Sequence, residues 1–174
     1  MKILKILFLT VLTISIVSCG DDDDAGNDVG GSADLIGTWN AVSVNYTGTT
    51  VTEANGVSVQ ADFVGEGMNI DYTLNFTSNP NELTSDGSYD IELTTTILNE
   101  TTTQTFTDIE FASTGEWLLD GDQMTVTSDG VTNIVTVVEL TATSLILNIV
   151  DVQTQTAGGT TITITTDSTL VYNR

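Results

Sequence analysis

Carboxylates are the one chemically reactive side chain that this sequence holds in quantity. Its 174 residues include 24 Asp and Glu, no His and a single Cys. Two carboxyl groups flanking a bond can serve as general acid and general base, as in glycoside hydrolysis. The candidates, such as Glu92 and Glu110, fall on the wet side of alternating segments, and no catalytic pair is assigned. Without His there is no imidazole base for a Ser or Cys nucleophile, and no ligand set for zinc. Asp120-Gly121-Asp122 opens like a calcium loop, but Gln123, Met124 and Thr125 supply no matching oxygens and no Glu closes it. That segment is read as a turn. No Gly-rich phosphate loop precedes a helix. The chain is therefore expected to be no enzyme, with no cofactor and no dedicated metal site.

The remaining reactive group is the thiol of Cys19. It has no second Cys to pair with and lies between an apolar run, Ile6 to Val17, and four aspartates, Asp21 to Asp24. Lys2 and Lys5 give the start a positive charge, and small Ser18 precedes the cysteine, which is the architecture of a secretory signal peptide. The run is well short of the roughly 20 residues that cross a bilayer. Ile16-Val17-Ser18-Cys19 resembles a bacterial lipobox, which implies lipid attachment to the Cys19 sulfur and cleavage before it. Residues 1–18 are then a lipoprotein signal peptide, and residues 19–34 an acidic flexible tether able to reach roughly 20 Å. The sequence CGDDDD further resembles the acidic export signal of Bacteroidota lipoproteins, which implies an outer-membrane lipoprotein, either kept within the envelope or exported to the cell surface.

Loss of the leader would leave Arg174 as the only cation. The formal charge of the whole chain is already −21. A chain of that sign is repelled by nucleic acid and by anionic lipid surfaces, so the expected membrane partner is reached through the lipid on Cys19 and no nucleic acid is expected.

From Leu35 onward the pattern has period two. Ile70, Tyr72, Leu74 and Phe76 alternate with Asn69, Asp71, Thr73 and Asn75, and Tyr89, Ile91, Leu93 and Ile97 repeat the scheme. Such segments are strands with one buried face. Asp120-Gly121, Asp129-Gly130 and Gly158-Gly159 are hairpin pairs, since type I′ turns need residues that tolerate positive φ. They bound strands at 116–119, 123–128, 131–140, 144–153 and 160–173. Consecutive hairpins without βαβ spacing give an all-β, antiparallel up-and-down meander over residues 35–174, closed into a barrel or left as an open sandwich. Residues 47–67, with four glycines, read as an insertion, a long loop or ragged hairpin at the mouth.

Leu35-Ile36-Gly37-Thr38-Trp39 resembles the Gly-x-Trp signature of the lipocalin and fatty-acid-binding superfamily, and the later segments are similar to the lipocalin-like domains of Bacteroidota lipoproteins. The resemblance implies a closed barrel with Gly37 and Trp39 at its floor and a terminal basic residue, here Arg174, packed across the indole. Parity agrees, because Ile162, Ile164, Thr166, Ser168, Leu170, Tyr172 and Arg174 share one face. Trp39, however, is out of phase with Val42, Val44 and Tyr46, and Phe106 with Ile109 and Phe111, so strand bulges are expected. Asp167-Ser168-Thr169 resembles a Bacteroidota O-glycosylation sequon, although it lies within an inward-facing strand.

Two functions fit. The first is a binding module that holds a small apolar molecule, lined by Tyr72, Phe76, Tyr89, Thr166, Ser168 and Tyr172. The second is a structural or interaction module with a side-chain-filled barrel and an acidic surface facing a partner.

Overall fold

Alternation and turn chemistry together fix the architecture. The computed structural model describes residues 31–110 and 114–174; the leader, Cys19 and most of the tether lie outside the described residues. The end of the tether segment forms one helical turn, α1 (Ser32–Leu35). Nine antiparallel strands follow among the described residues: β1 (Gly37–Ala54), β2 (Val57–Phe76), β3 (Glu82–Ile97), β4 (Glu100–Ile109), β5 (Gly115–Asp120), β6 (Gln123–Ser128), β7 (Val131–Leu140), β8 (Ser144–Ala157) and β9 (Thr160–Asn173).

The meander closes on itself. β9 pairs with β1, and hydrogen bonds run through β1, β2, β3, β5, β6, β7, β8 and β9, an eight-stranded ring of barrel-like form. β4 stands outside it, paired to β3. Closure removes the free strand edges within the ring, leaving β4 and the outer part of β8 as edges. The shortest seam is β3 to β5, only Glu82↔Glu116 and Leu83↔Gly115. Side chains reinforce it: the Trp117 N–H donates to the Asn81 carbonyl, its indole Nε1 donates to the Thr77 carbonyl at 3.0 Å, and its ring meets Phe76 edge to face. Gly115 is required on the other side of β5, against β6, where a Cβ would come 2.3 Å from the Thr127 carbonyl oxygen.

The turns differ from the sequence reading in two places. Asp129-Gly130 and Gly158-Gly159 are the paired positive-φ turns expected, but the β5–β6 loop is Gly121-Asp122, one residue later than Asp120-Gly121. Residues 47–67 take the hairpin alternative and not the long loop. They form the β1–β2 hairpin, paired without interruption from Asn45↔Glu66 to Ala54↔Val57, and turn on Asn55-Gly56 with φ of 51° and 78°. With β3, β4, β8 and β9 these arms continue past the ring as a six-stranded wall. Threonine pairs such as Thr94–Thr103 and Thr154–Thr163 hydrogen-bond across its outer face.

Bulges supply the bends that a ring of long strands needs. On β1 the register shifts between Ala41 and Ser43, so Val42 leaves the inward series and is half exposed, while Val44 is fully buried. Asn69-Ile70 on β2 oppose Tyr89, and Thr107-Asp108 on β4 oppose Asp90. One carboxylate ties both: Asn69 Nδ2 and the Asp108 N–H donate to Asp90 at 2.6 and 3.1 Å. These two bonds, Asn69 first, hold the Asp90 carboxyl below the usual carboxylate range.

One end of the ring is sealed by the first and last residues of the fold. Trp39 is fully buried, its Nε1 donating to the Leu35 carbonyl at 2.8 Å. The Arg174 guanidinium lies 4.0 Å over its ring centroid. Arg174 also donates to the carbonyls of Ala142, Ile36 and Asp34, clamping the entering chain to the β7–β8 turn. Gly37, at φ 123°, passes directly beneath, where a Cβ would come 3.1 Å from the guanidinium.

Replacing Arg174 with Ala is expected to lower stability by about 1–2 kcal/mol, since a cation over an indole and hydrogen bonds from a charged donor are each of that order. Denaturant unfolding followed by Trp emission checks this. An unchanged midpoint and spectrum would contradict the brace.

Candidate cavity and tyrosine cluster

Inward residues near the floor are large and fill the ring, whereas along β9 they shrink from Tyr172 and Leu170 to Ser168 and Thr166. Trp39, Phe76, Leu83, Leu140, Leu145, Leu170 and Tyr172 are each at most 3% exposed and form one continuous core with Trp117 and Met124. Above them the ring encloses a cavity of about 700 Å³, lined from β1, β2, β3, β6, β7, β8 and β9. Its walls are chiefly Met124, Val126, Val135, Leu147, Ile149 and Leu170, with Ser168 and Thr166 as hydroxyl positions.

The opening follows from one short pairing. β7 and β8 are hydrogen-bonded only from Thr136↔Asn148 to Leu140↔Leu145, with a register shift at Val138. Beyond Thr136 the two strands part, and the diverging halves contribute Asn133, Ile134, Val150, Asp151 and Gln153 to the cavity. Ile134 and Val150, both 60% exposed, make apolar lips at this gap. Paired apolar side chains left in water at the rim of a concave site favour an apolar occupant.

All four tyrosines of the chain meet beside the cavity. The Tyr72 ring lies 6.1 Å from that of Tyr89, edge to face, and 6.5 Å from that of Tyr172. Tyr46 and Tyr89 share a hydroxyl–hydroxyl hydrogen bond of 2.5 Å, and Tyr72 is hydrogen-bonded to Ser85. The Tyr172 hydroxyl is buried, and among the described residues nothing lies within hydrogen-bonding distance of it. Burial is the main cause that pushes all four phenol pKa values up. The cluster therefore stays protonated and neutral at physiological pH.

Of the lining residues expected from parity, Thr166, Ser168 and Tyr172 border the cavity. Tyr72, Tyr89 and Phe76 are core residues, the first two in the tyrosine cluster and Phe76 against Trp117. Ser168 is only 7% exposed, so the hydroxyl of Asp167-Ser168-Thr169 belongs to the interior. Tyr46 and the β6–β7 wall were not anticipated. Tyr46 had a signal, since it shares a face with buried Val44; the parting of β7 from β8 had none short of the bulge at Val138. Glu92 and Glu110 are both exposed, and no group of three or more Cys, Asp or Glu suited to a metal ion occurs among the described residues. No protein-family model, curated protein or solved structure matches this chain.

The four raised phenols set a pH dependence whose sign is fixed. The unfolded chain releases these protons from about pH 10 upward while the folded chain keeps them, so their contribution is complete below about pH 10 and is lost as pH climbs beyond it. The Asp90 effect runs oppositely, present above about pH 3.9 and lost as pH falls through its lowered value. Unfolding midpoints are expected to drop above about pH 10, with phenolate absorbance appearing together with loss of sheet signal. Four phenolates titrating at ordinary pH in an intact fold would contradict the burial of the cluster.

Proposed function

We propose that this protein is a lipid-anchored, lipocalin-like binding module of a bacterial outer membrane, displayed at the cell surface, which holds a small, mostly apolar molecule within its ring. The observation that carries this reading is the cavity of about 700 Å³, walled by Met124, Val126, Val135, Leu147, Ile149 and Leu170 together with polar residues such as Thr132, Asn133, Asp151 and Gln153. Its volume lies within the range of pockets that take small organic ligands, about 300–1,000 Å³. The Trp39–Arg174 floor adds support, because a closed and braced end leaves the cavity one way in.

The chemistry present is suited to holding rather than converting. Valine, leucine and isoleucine walls supply burial, worth about 25 cal/mol per Å² of apolar surface removed from water, and the hydroxyls of Ser168 and Thr166 orient. The acidic tether, residues 19–34, would separate the ring from the lipid on Cys19 and keep it soluble above a negative membrane surface. A module filled by its own side chains is the second reading, and the cavity is what counts against it.

Native mass spectrometry of the protein purified in detergent from its own bacterium tests both halves at once. Two mass increments are expected. One is lost on denaturation and is the ligand; the other survives on a chain starting at Cys19 and is the lipid. A bare mass after gentle purification would count against binding, and a chain that keeps its leader or lacks a covalent increment would refute the anchor.

A further inference from the structure

We propose that a second copy of this chain docks on the inward face of the six-stranded wall, so that two molecules pair wall to wall about a two-fold axis. The proposal is independent of what the cavity holds.

The wall carries the inward face of the ring outward past the cavity. Beyond Tyr46 the pairing of β1 with β2 and β9, and of β2 with β3, runs without a shift, so residues opposite one another stay on one side of the sheet. Ile164, Thr50, Ala61 and Ile97 make one row across β9, β1, β2 and β3, and Ile162, Thr52 and Val59 make the next. The Phe63 ring lies over Gly48, where a Cβ would come 2.3 Å from it. On this face Val57, Val59, Ile97 and Ile164 are 37–64% exposed. Single apolar side chains in water are ordinary, but a contiguous set spread over four strands marks a contact surface.

Charge identifies the occupant. None of the chain's 24 Asp and Glu falls on the inward face of the β9, β1, β2 and β3 arms, whereas Glu53, Asp62, Glu92 and Asp167 stand on the outward face. Asp151 on β8 and Glu100 on β4 mark the two inward margins. Two chains of formal charge −21 repel wherever their carboxylates meet, and on this face they meet without that repulsion. A basic partner would find no carboxylate there to pair with. An uncharged apolar face is complementary to itself, as a two-fold contact requires. The area also suffices: six strands about 4.8 Å apart and about eight residues long at about 3.3 Å each present roughly 700 Å² per copy. A pair would bury more than the roughly 1,000 Å² that a stable interface needs.

Cross-linking with bismaleimidoethane in intact cells of its own bacterium tests this on the full chain. Thr50→Cys, Thr52→Cys and Ala61→Cys put a thiol on the inward face, and Thr49→Cys, Val51→Cys and Gln60→Cys put one on the outward face of the same arms. The parent chain is the control for Cys19. A covalent species of twice the chain's mass is expected from the inward set at a yield at least about tenfold above the outward set and the parent. Adding Val59→Asp and Ile164→Asp to the inward set is expected to lower that yield about tenfold, because each copy would then bury carboxylates without partners. Both side chains are exposed in the single copy, so the fold tolerates the change. Equal yields from the two faces, no doubled species from any inward cysteine, or a yield that survives the two aspartates would each overturn the proposal. A trapped species of any other mass would show a different occupant and overturn it as well.

Discussion

Closure of the sheet is the constraint on which everything else in this molecule depends. A meander of strands buries its inward faces only if its last strand returns to its first, and here β9 does so along fourteen residue pairs with β1. The ring then stands or falls at its briefest seam, two pairs between β3 and β5, where backbone pairing alone is weak. Trp117 makes up the difference with two hydrogen bonds and its contact with Phe76. Gly115, at that seam, also lets β5 lie close against Thr127 of the next strand, β6. Cavity, tyrosine cluster and floor are all consequences of that closure.

Charge distribution follows the same logic. A fold this acidic repels itself, and its single cation among the described residues is placed where it ties chain ends together rather than where it would neutralise a carboxylate. Arg174 bonds to backbone carbonyls from α1, from the approach to β1 and from the β7–β8 turn. A guanidinium can do this because its donors spread in a plane that also stacks on an indole. Asp90 performs the complementary task higher up, a carboxylate accepting from two bulged strands at once.

Much of this was legible in the sequence wherever one face of a strand is buried. β6, β7 and β9 could be bounded to the residue, since Val, Ile and Leu alternate with Thr between Asp-Gly and Gly-Gly turns. The Trp39–Arg174 stack could be anticipated from face parity joined to a family resemblance. Legibility failed where burial fails. The outer arm of β1 carries Thr on both faces and lacks the alternation that marks a strand, whereas β2 does alternate, Val57, Val59, Ala61 and Phe63 against Ser58, Gln60 and Asp62, a signal that the glycines around it obscured. β8 likewise runs to Ala157, four residues beyond the expected end at Gln153, because Thr154-Gln155-Thr156 has no apolar side to read. For the site, parity found Thr166, Ser168 and Tyr172 but could not distinguish residues that face a cavity from residues that face each other. That difference depends on where β7 leaves β8, a property of three-dimensional register.

The central claim is that the space left by that parting is filled by a molecule rather than by solvent. Its most direct test is a crystal structure of the protein isolated from its own bacterium without added ligand. Continuous density is expected between Val126, Leu147 and Ser168. A cavity holding only separate waters would contradict the account.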